Sequence, residues 1–295
     1  MLTGSTVPAV GITTFSTDRS MHPAELAREV EAREFESLFL PEHSHIPTSR
    51  RSAWPGARPG AEDLPDHYWH LNDQIVALSM AAAVTERLTL GTAVTLVAQH
   101  DPIWLAKQLA TLDHLSGGRV ALGVGYGWNR EQTEQHRAPF AQRRELTEEH
   151  VAVMRALWTA EEASYEGALV SLEPSLAYPK PHRAGGPPVL LGGGWGPKLF
   201  DAVARYGDGW MPISARHGLG ERLAALRRRV EDAGRDPASI SIAVVGATTE
   251  PTGLLALGEE GVDRAVMTVW SEDRDQILRD LDRYAAARDA AHGVR

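Results

Sequence analysis

No cysteine occurs among the 295 residues, which excludes disulfides, thiolate catalysis and cysteine-ligated zinc together. Basic residues are outnumbered, with 30 Lys and Arg against 39 Asp and Glu, so the formal net charge is −9. With a sequence pI near 5.7, that balance argues against a general nucleic-acid binder. The arginines are dispersed, and the one run, Arg227-Arg228-Arg229, reads as a solvated helix face. No run approaches the roughly 18 apolar residues of a membrane span. No basic-then-apolar segment opens the chain as a signal peptide would. The expectation is a soluble, cytoplasmic protein with neither a membrane nor a nucleic-acid partner. Hydrophobic residues still make up 43% of the chain, enough for a large buried core.

The stretch around which the rest is organised is residues 120–128, Val-Ala-Leu-Gly-Val-Gly-Tyr-Gly-Trp. A short apolar run reads as a strand buried on both faces. Gly123, Gly125 and Gly127 keep side chains away from the backbone at its exit. Residues 102–119 read as the preceding helix, because Pro102 suits a first helical turn and Gly117-Gly118 a helix end. The same alternation runs through the chain. Further strands are predicted over 7–15, 37–41, 88–97, 189–192, 209–213, 240–245 and 265–270. Further helices are predicted over 23–34, 70–87, 140–159, 197–206, 219–233, 252–260 and 273–290.

Strand–helix alternation implies a parallel sheet, and about eight such units in a chain of this length close most economically into a (β/α)8 TIM barrel. A doubly wound open sheet is the alternative, weakened by the lack of a glycine fingerprint after the first strand. Two segments interrupt the rhythm of what reads as one domain over 1–295. Residues 46–66 are polar and rich in Pro, Gly and Arg, as expected of a lid or binding loop. Residues 163–188 hold a small hairpin and a proline-rich connection, an insertion before the fifth barrel strand.

Barrel chemistry sits where strands end and the following loops begin. His43, preceded by Glu42, follows the second strand directly, as either a surface loop histidine or a proton donor or orienting group. His45 lies one step on. His67 and His70 raise the question of a metal, but no helical His-x-x-x-His or Glu-x-x-His spacing supports one. Gly192-Gly193-Gly194-Trp195-Gly196-Pro197-Lys198 runs from strand into helix, either as a flexible turn or as an anion site of bare N–H groups. Trp128, Trp195 and Trp210 lie near the same mouth, where an indole stacks on a ring or fills the core. Trp54, Tyr68, Trp69 and Trp128 suggest a partly apolar substrate pocket.

Several long motifs in order resemble the luciferase-like monooxygenase superfamily, most closely its branch dependent on the deazaflavin coenzyme F420. They include Pro41-Glu42-His43, residues 83–92 (Ala-Val-Thr-Glu-Arg-Leu-Thr-Leu-Gly-Thr), residues 105–119, Gly123 to Trp128, Pro179-Lys180-Pro181 and Gly207-Asp208-Gly209-Trp210. The resemblance covers essentially the whole chain. It implies a TIM-type barrel with F420, or alternatively FMN, at the carboxyl mouth, and a non-prolyl cis peptide under the ring at Ala93–Val94. It implies that His43 is catalytic or touches substrate, and that Gly125, Tyr126 and Gly127 lie beside the cofactor. It places Gly193, Gly194, Trp195 and Gly196 at the cofactor phosphate, although that turn lacks the branch's usual serine. The expected partners are a small organic substrate, a second copy of the chain in a homodimer and, for FMN chemistry, a separate reductase.

Overall fold

A computed structural model of the protein describes residues 7–60, 63–213 and 218–293. The chain runs through β1 (Ala9–Thr14), α1 (Pro23–Ala32), β2 (Ser37–Leu40), α2 (Gln74–Ala82), β3 (Thr89–Thr92), α3 (Pro102–Ser116) and β4 (Val120–Val124). After β4 come α4 (Arg130–Gln135), α5 (Arg143–Thr159) and an antiparallel ribbon of β5 (Ala163–Glu166) and β6 (Ser171–Ser175). The last half-barrel is β7 (Val189–Gly193), α6 (Pro197–Tyr206), β8 (Gly209–Pro212), α7 (Leu219–Asp232), β9 (Ser241–Val245), α8 (Pro251–Glu259), β10 (Arg264–Val269) and α9 (Arg274–Gly293). Eight of these strands close into a barrel in the order β1-β10-β9-β8-β7-β4-β3-β2. Closure is direct, since β1 pairs in parallel with β10 on one side and β2 on the other. The open-sheet alternative is thereby excluded, and the (β/α)8 barrel stands.

Side-chain alternation along each strand builds two apolar layers. Ile12, Leu38, Leu40, Leu90, Leu122 and Leu191 face outward and are buried beneath the helices. Phe39, Ala121, Leu190, Met211, Ala243 and Val266 face inward and fill the barrel. Phe39 occupies that interior because Gly91 has no side chain; a Cβ there would overlap its ring. The amino end is closed by Arg264, which grips Glu36 through two bonds of 2.6 Å and lies 5.6 Å from the Phe39 ring centre. Burial pushes the Glu36 carboxyl up, but Arg264 outweighs it and holds the group below the usual carboxylate range.

Local signals set the helix ends. Asp101 accepts the Ile103 and Trp104 N–H groups at 3.0 and 2.9 Å, Pro102 opens α3, and Gly117 closes it at φ 73°. Helix α2 starts later than residue 70 because Asp73 caps it through the Val76 N–H, 2.8 Å away, and Asp66–Trp69 form a separate 3-10 turn. The third strand stops at Thr92 rather than 97, because a cis peptide at Ala93–Val94 and a 3-10 turn at Val97–Gln99 follow it. Helix α4 has no counterpart in the sequence reading. Among the described residues, no helix is long and apolar enough to cross a membrane.

Candidate active site at the carboxyl mouth

β2, β3, β4 and β7 are consecutive in the barrel, so their exits share one stretch of rim. After β3 the chain turns through the cis Ala93–Val94 bond and returns to β4. There Thr95 N–H bonds Gly123 O at 2.7 Å, and Gly125 N–H bonds Thr95 O at 2.9 Å. The buried Gln74 amide donates to Thr95 Oγ1 at 3.1 Å and fixes the turn from α2. Val94 is wedged between two glycines: a Cβ on Gly125 would overlap its Cγ2, and one on Gly192 would lie 2.6 Å from its Cγ1. These glycines are therefore small to admit Val94. The β7 exit differs. A Cβ on Gly194 or Gly196 would meet no atom within 4 Å, so this backbone is open. Gly193 and Gly196 have φ of 135° and 142°, which only glycine adopts readily. No side chain caps α6, whose first residue, Pro197, has no N–H and whose Leu199 N–H bonds Gly196 O at 3.1 Å.

His43 sits on the β2 side of this rim. Its Nδ1 is 2.8 Å from Oε1 of Gln132, a fully buried residue of α4. Burial lowers the His43 pKa below 6.5, outweighing the Gln132 bond and the nearby Glu42 charge, so the ring is neutral at neutral pH. Glu42 has a structural task. It accepts the Leu96 N–H at 2.6 Å and binds His100 Nε2 at 2.6 Å, tying the loop after β3 to that after β2. Tyr126 turns away from the barrel axis: its hydroxyl lies 3.0 Å from that of Tyr206, and Arg144 covers its ring at 4.2 Å. Only the Tyr126 backbone remains at the strand exit. Gly127 has φ 74° and lies under Gln99 and Thr133. Trp195 is 64% exposed beside the β7 turn, with the Arg222 guanidinium 4.6 Å from its ring centre. Trp210 is core filling instead, edge-on to Phe200 at 5.2 Å, with its N–H on Gly194 O at 3.2 Å.

Residues 21–249 match the luciferase-like monooxygenase family. The chain belongs to that family, whose members are oxidoreductases and monooxygenases. An uncharacterized protein of Mycobacterium tuberculosis is 40% identical over 277 residues, covering 94% of this chain and 97% of its own. A phthiodiolone/phenolphthiodiolone dimycocerosates ketoreductase of the same species is 34% identical over 171 residues, covering 57% of this chain and 44% of its own. A monooxygenase from Streptomyces bottropensis superposes with a TM-score of 0.74 at 18% identity, covering 94% of this chain and 98% of its own. The coenzyme F420 dependent tetrahydromethanopterin reductase of Methanopyrus kandleri gives 0.70 at 15%, with 94% and 97% covered. At those identities the structural likeness is one of fold.

On this luciferase-like barrel a run of rings crosses the mouth. Trp270 stacks on Phe15 at 5.7 Å, Phe15 meets His67 at 4.3 Å, and His67 stacks on Tyr68 at 5.0 Å. Tyr68 meets His43 at 5.3 Å, and His43 meets Trp128 at 5.8 Å, with Arg50 near that indole. Trp54 joins through its N–H to Tyr68 Oη at 3.1 Å, whereas Trp69 lies outside, half exposed against His70. Phe15 and Trp270 were not singled out in the sequence, and His67 only as a possible metal ligand, because each belongs to a different strand end or loop, with no local pattern joining them. The segment expected as a lid is anchored on α4: Glu131 accepts the Arg51 N–H at 3.0 Å and the Ser52 hydroxyl at 2.6 Å. These bonds hold its carboxyl at about 2. Positions 61–62 of that segment lie outside the described residues. The rim fits a flat ring with an anionic tail: Val94 and the inner apolar layer form a floor, and the backbone at Gly194 and Gly196 is open space that a Cβ there would enter.

Proposed function

We propose that the protein is an oxidoreductase that transfers a hydride between coenzyme F420 and a small organic substrate. The observation that carries this reading is one shared rim, the exits of β2, β3, β4 and β7, on which His43, Val94 and the open backbone at Gly194 and Gly196 stand. In this reading the backbone of the Gly194–Gly196 turn, with Lys198 beside it, would hold the cofactor phosphate. Ala93 and Val94 would support the ring from below, and the Gly125, Tyr126 and Gly127 backbone would line its edge. When bound, the deazaflavin supplies a two-electron hydride donor or acceptor. His43 binds the substrate's polar group and moves its proton, while the aromatic run orients the substrate and excludes water. Residues 46–66 close over it as the lid. The exposed Val76, Met80, Ile103, Trp104 and Leu115 on α2 and α3 support the expected homodimer. Light scattering that returned one chain's mass, 32.1 kDa, would refute that part.

A second reading, a monooxygenase fed with reduced FMN by a separate reductase, is favoured by the likeness to the Streptomyces monooxygenase barrel. Anaerobic turnover separates the two. The first reading predicts F420 absorbance changes with an alcohol or carbonyl panel, and loss of about 10²–10⁴-fold in kcat for His43→Ala with cofactor binding kept. Oxygen consumption with reduced FMN, and none of this with F420, would replace it by the second. An F420 or FMN complex indifferent to His43→Ala and to every substrate would leave only a binding protein.

A further inference from the structure

A hydrogen-bond chain beside His43 runs Gln135–His45–Ser44–Gln132–His43, and its polarity can be worked out link by link. Gln135, at the exposed end of the hydrogen-bond chain, presents Oε1 to His45 Nε2 at 2.6 Å, and in this orientation Nε2 carries the proton. In a neutral imidazole Nδ1 is then bare. Ser44 Oγ lies 2.9 Å from that Nδ1 and donates its single proton there. The same oxygen meets His136 Nε2 at 2.7 Å and Gln132 Nε2 at 3.3 Å, and accepts from both. With Gln135 in that orientation, Gln132 turns its NH2 toward Ser44 and its Oε1 toward His43, at 3.3 and 2.8 Å. The flipped amide would set its oxygen against a serine oxygen with no proton to give, at a fully buried position where such a group is costly. His43 in turn can only donate to Gln132, from Nδ1.

We propose that Gln132 is a positioning residue: held by Ser44, its amide oxygen fixes His43 as the Nδ1–H tautomer and leaves Nε2 as the proton-accepting atom. Tyr68 and Trp128 pack against the ring, and Glu42 and His45 are the titratable groups that act on it. The assignment makes resting His43 a base rather than an acid, and it gives His45 an indirect role through Ser44. For its catalytic consequence it rests on the proposed reading of His43, whereas the tautomer is a property of the protein alone.

Nitrogen-15 NMR of histidine-labelled, ligand-free protein at about pH 8, where the ring is neutral, tests it directly, with His43→Ala assigning the signals. The expected result is a protonated Nδ1 and a bare Nε2, the reverse of the preference of free histidine. Ser44→Ala, at an exposed position, releases the amide and lets the Nε2–H form appear, while Gln132→Glu keeps Nδ1–H because a carboxylate still accepts. An Nε2–H tautomer in the unmodified protein, no response to Ser44→Ala, or loss of Nδ1–H in Gln132→Glu would each overturn the proposal. The wrong tautomer with F420 turnover intact refutes only this inference; the right one without cofactor binding refutes only the function.

Discussion

His43 and His100 stand a few residues from the same mouth and are tuned in opposite directions. Burial lowers His43, so a base there works down to a pH below its ordinary 6.5 and fails once the ring is protonated. Gln132→Glu places a carboxylate beside Nδ1–H, which favours the protonated ring and raises that value. The acid limb of the kcat profile should then move to higher pH, an effect read from pH–rate curves of both proteins. His100 is desolvated too, yet the Glu42 carboxylate 2.6 Å from Nε2 overcomes this and lifts its pKa above 6.5. A raised folded-state value means that the stabilisation is complete below the unfolded pKa and is lost as pH rises through the folded one. His100→Ala should cost about 1–2 kcal/mol at pH ~6 and clearly less at pH ~9, measured by urea unfolding. Equal losses at both pH values would show that the pair contributes packing and not charge.

Helix α4 is the element on which the site depends and the one least visible in the sequence. Its six residues, Arg-Glu-Gln-Thr-Glu-Gln, carry no apolar stripe, and its buried positions, Gln132 and Thr133, are both polar. It is held by the Asn129 cap, whose Oδ1 accepts the Gln132 N–H at 3.1 Å. One face of it orients His43, and the adjacent Glu131 anchors the loop at Arg51 and Ser52. Glu131→Ala should speed amide exchange and proteolysis around residues 50–54 and leave the barrel's melting temperature in place. Because the Glu131 carboxyl is held at about 2, acidification to pH ~4 should leave the anchor closed. Opening at that pH would contradict the assignment. By contrast, α3 was legible from Pro102 and Gly117, and β4 from its apolar run, since each carries its signal locally. The end of β3 was not, because Thr, Val and Leu continue past the cis bond in strand-like composition. Trp210 illustrates the period of two: Met211 faces into the barrel, so its neighbour must face out into the helix layer.

At the scale of the whole molecule, alternation along the sequence was enough to imply the barrel, and closure then puts the loops carrying His43 and Gly196 on one rim. What alternation does not encode is which exits share a rim, since β4 and β7 become neighbours only by passing over the β5–β6 ribbon. The aromatic run from Trp270 to Trp128 has the same origin, arising from strands at opposite ends of the chain. The central claim is that this rim binds a deazaflavin by its ring and its anionic tail, and fluorescence titration with F420 tests it most directly. Gly194→Val is the control, because a Cβ at that position meets no protein atom within 4 Å, so the variant should fold normally while its branched side chain covers the open backbone. The account predicts saturable F420 binding by the unmodified protein, weakened at least about tenfold in the variant, or 1.4 kcal/mol. No binding of F420, or equal binding by a folded Gly194→Val protein, would contradict it.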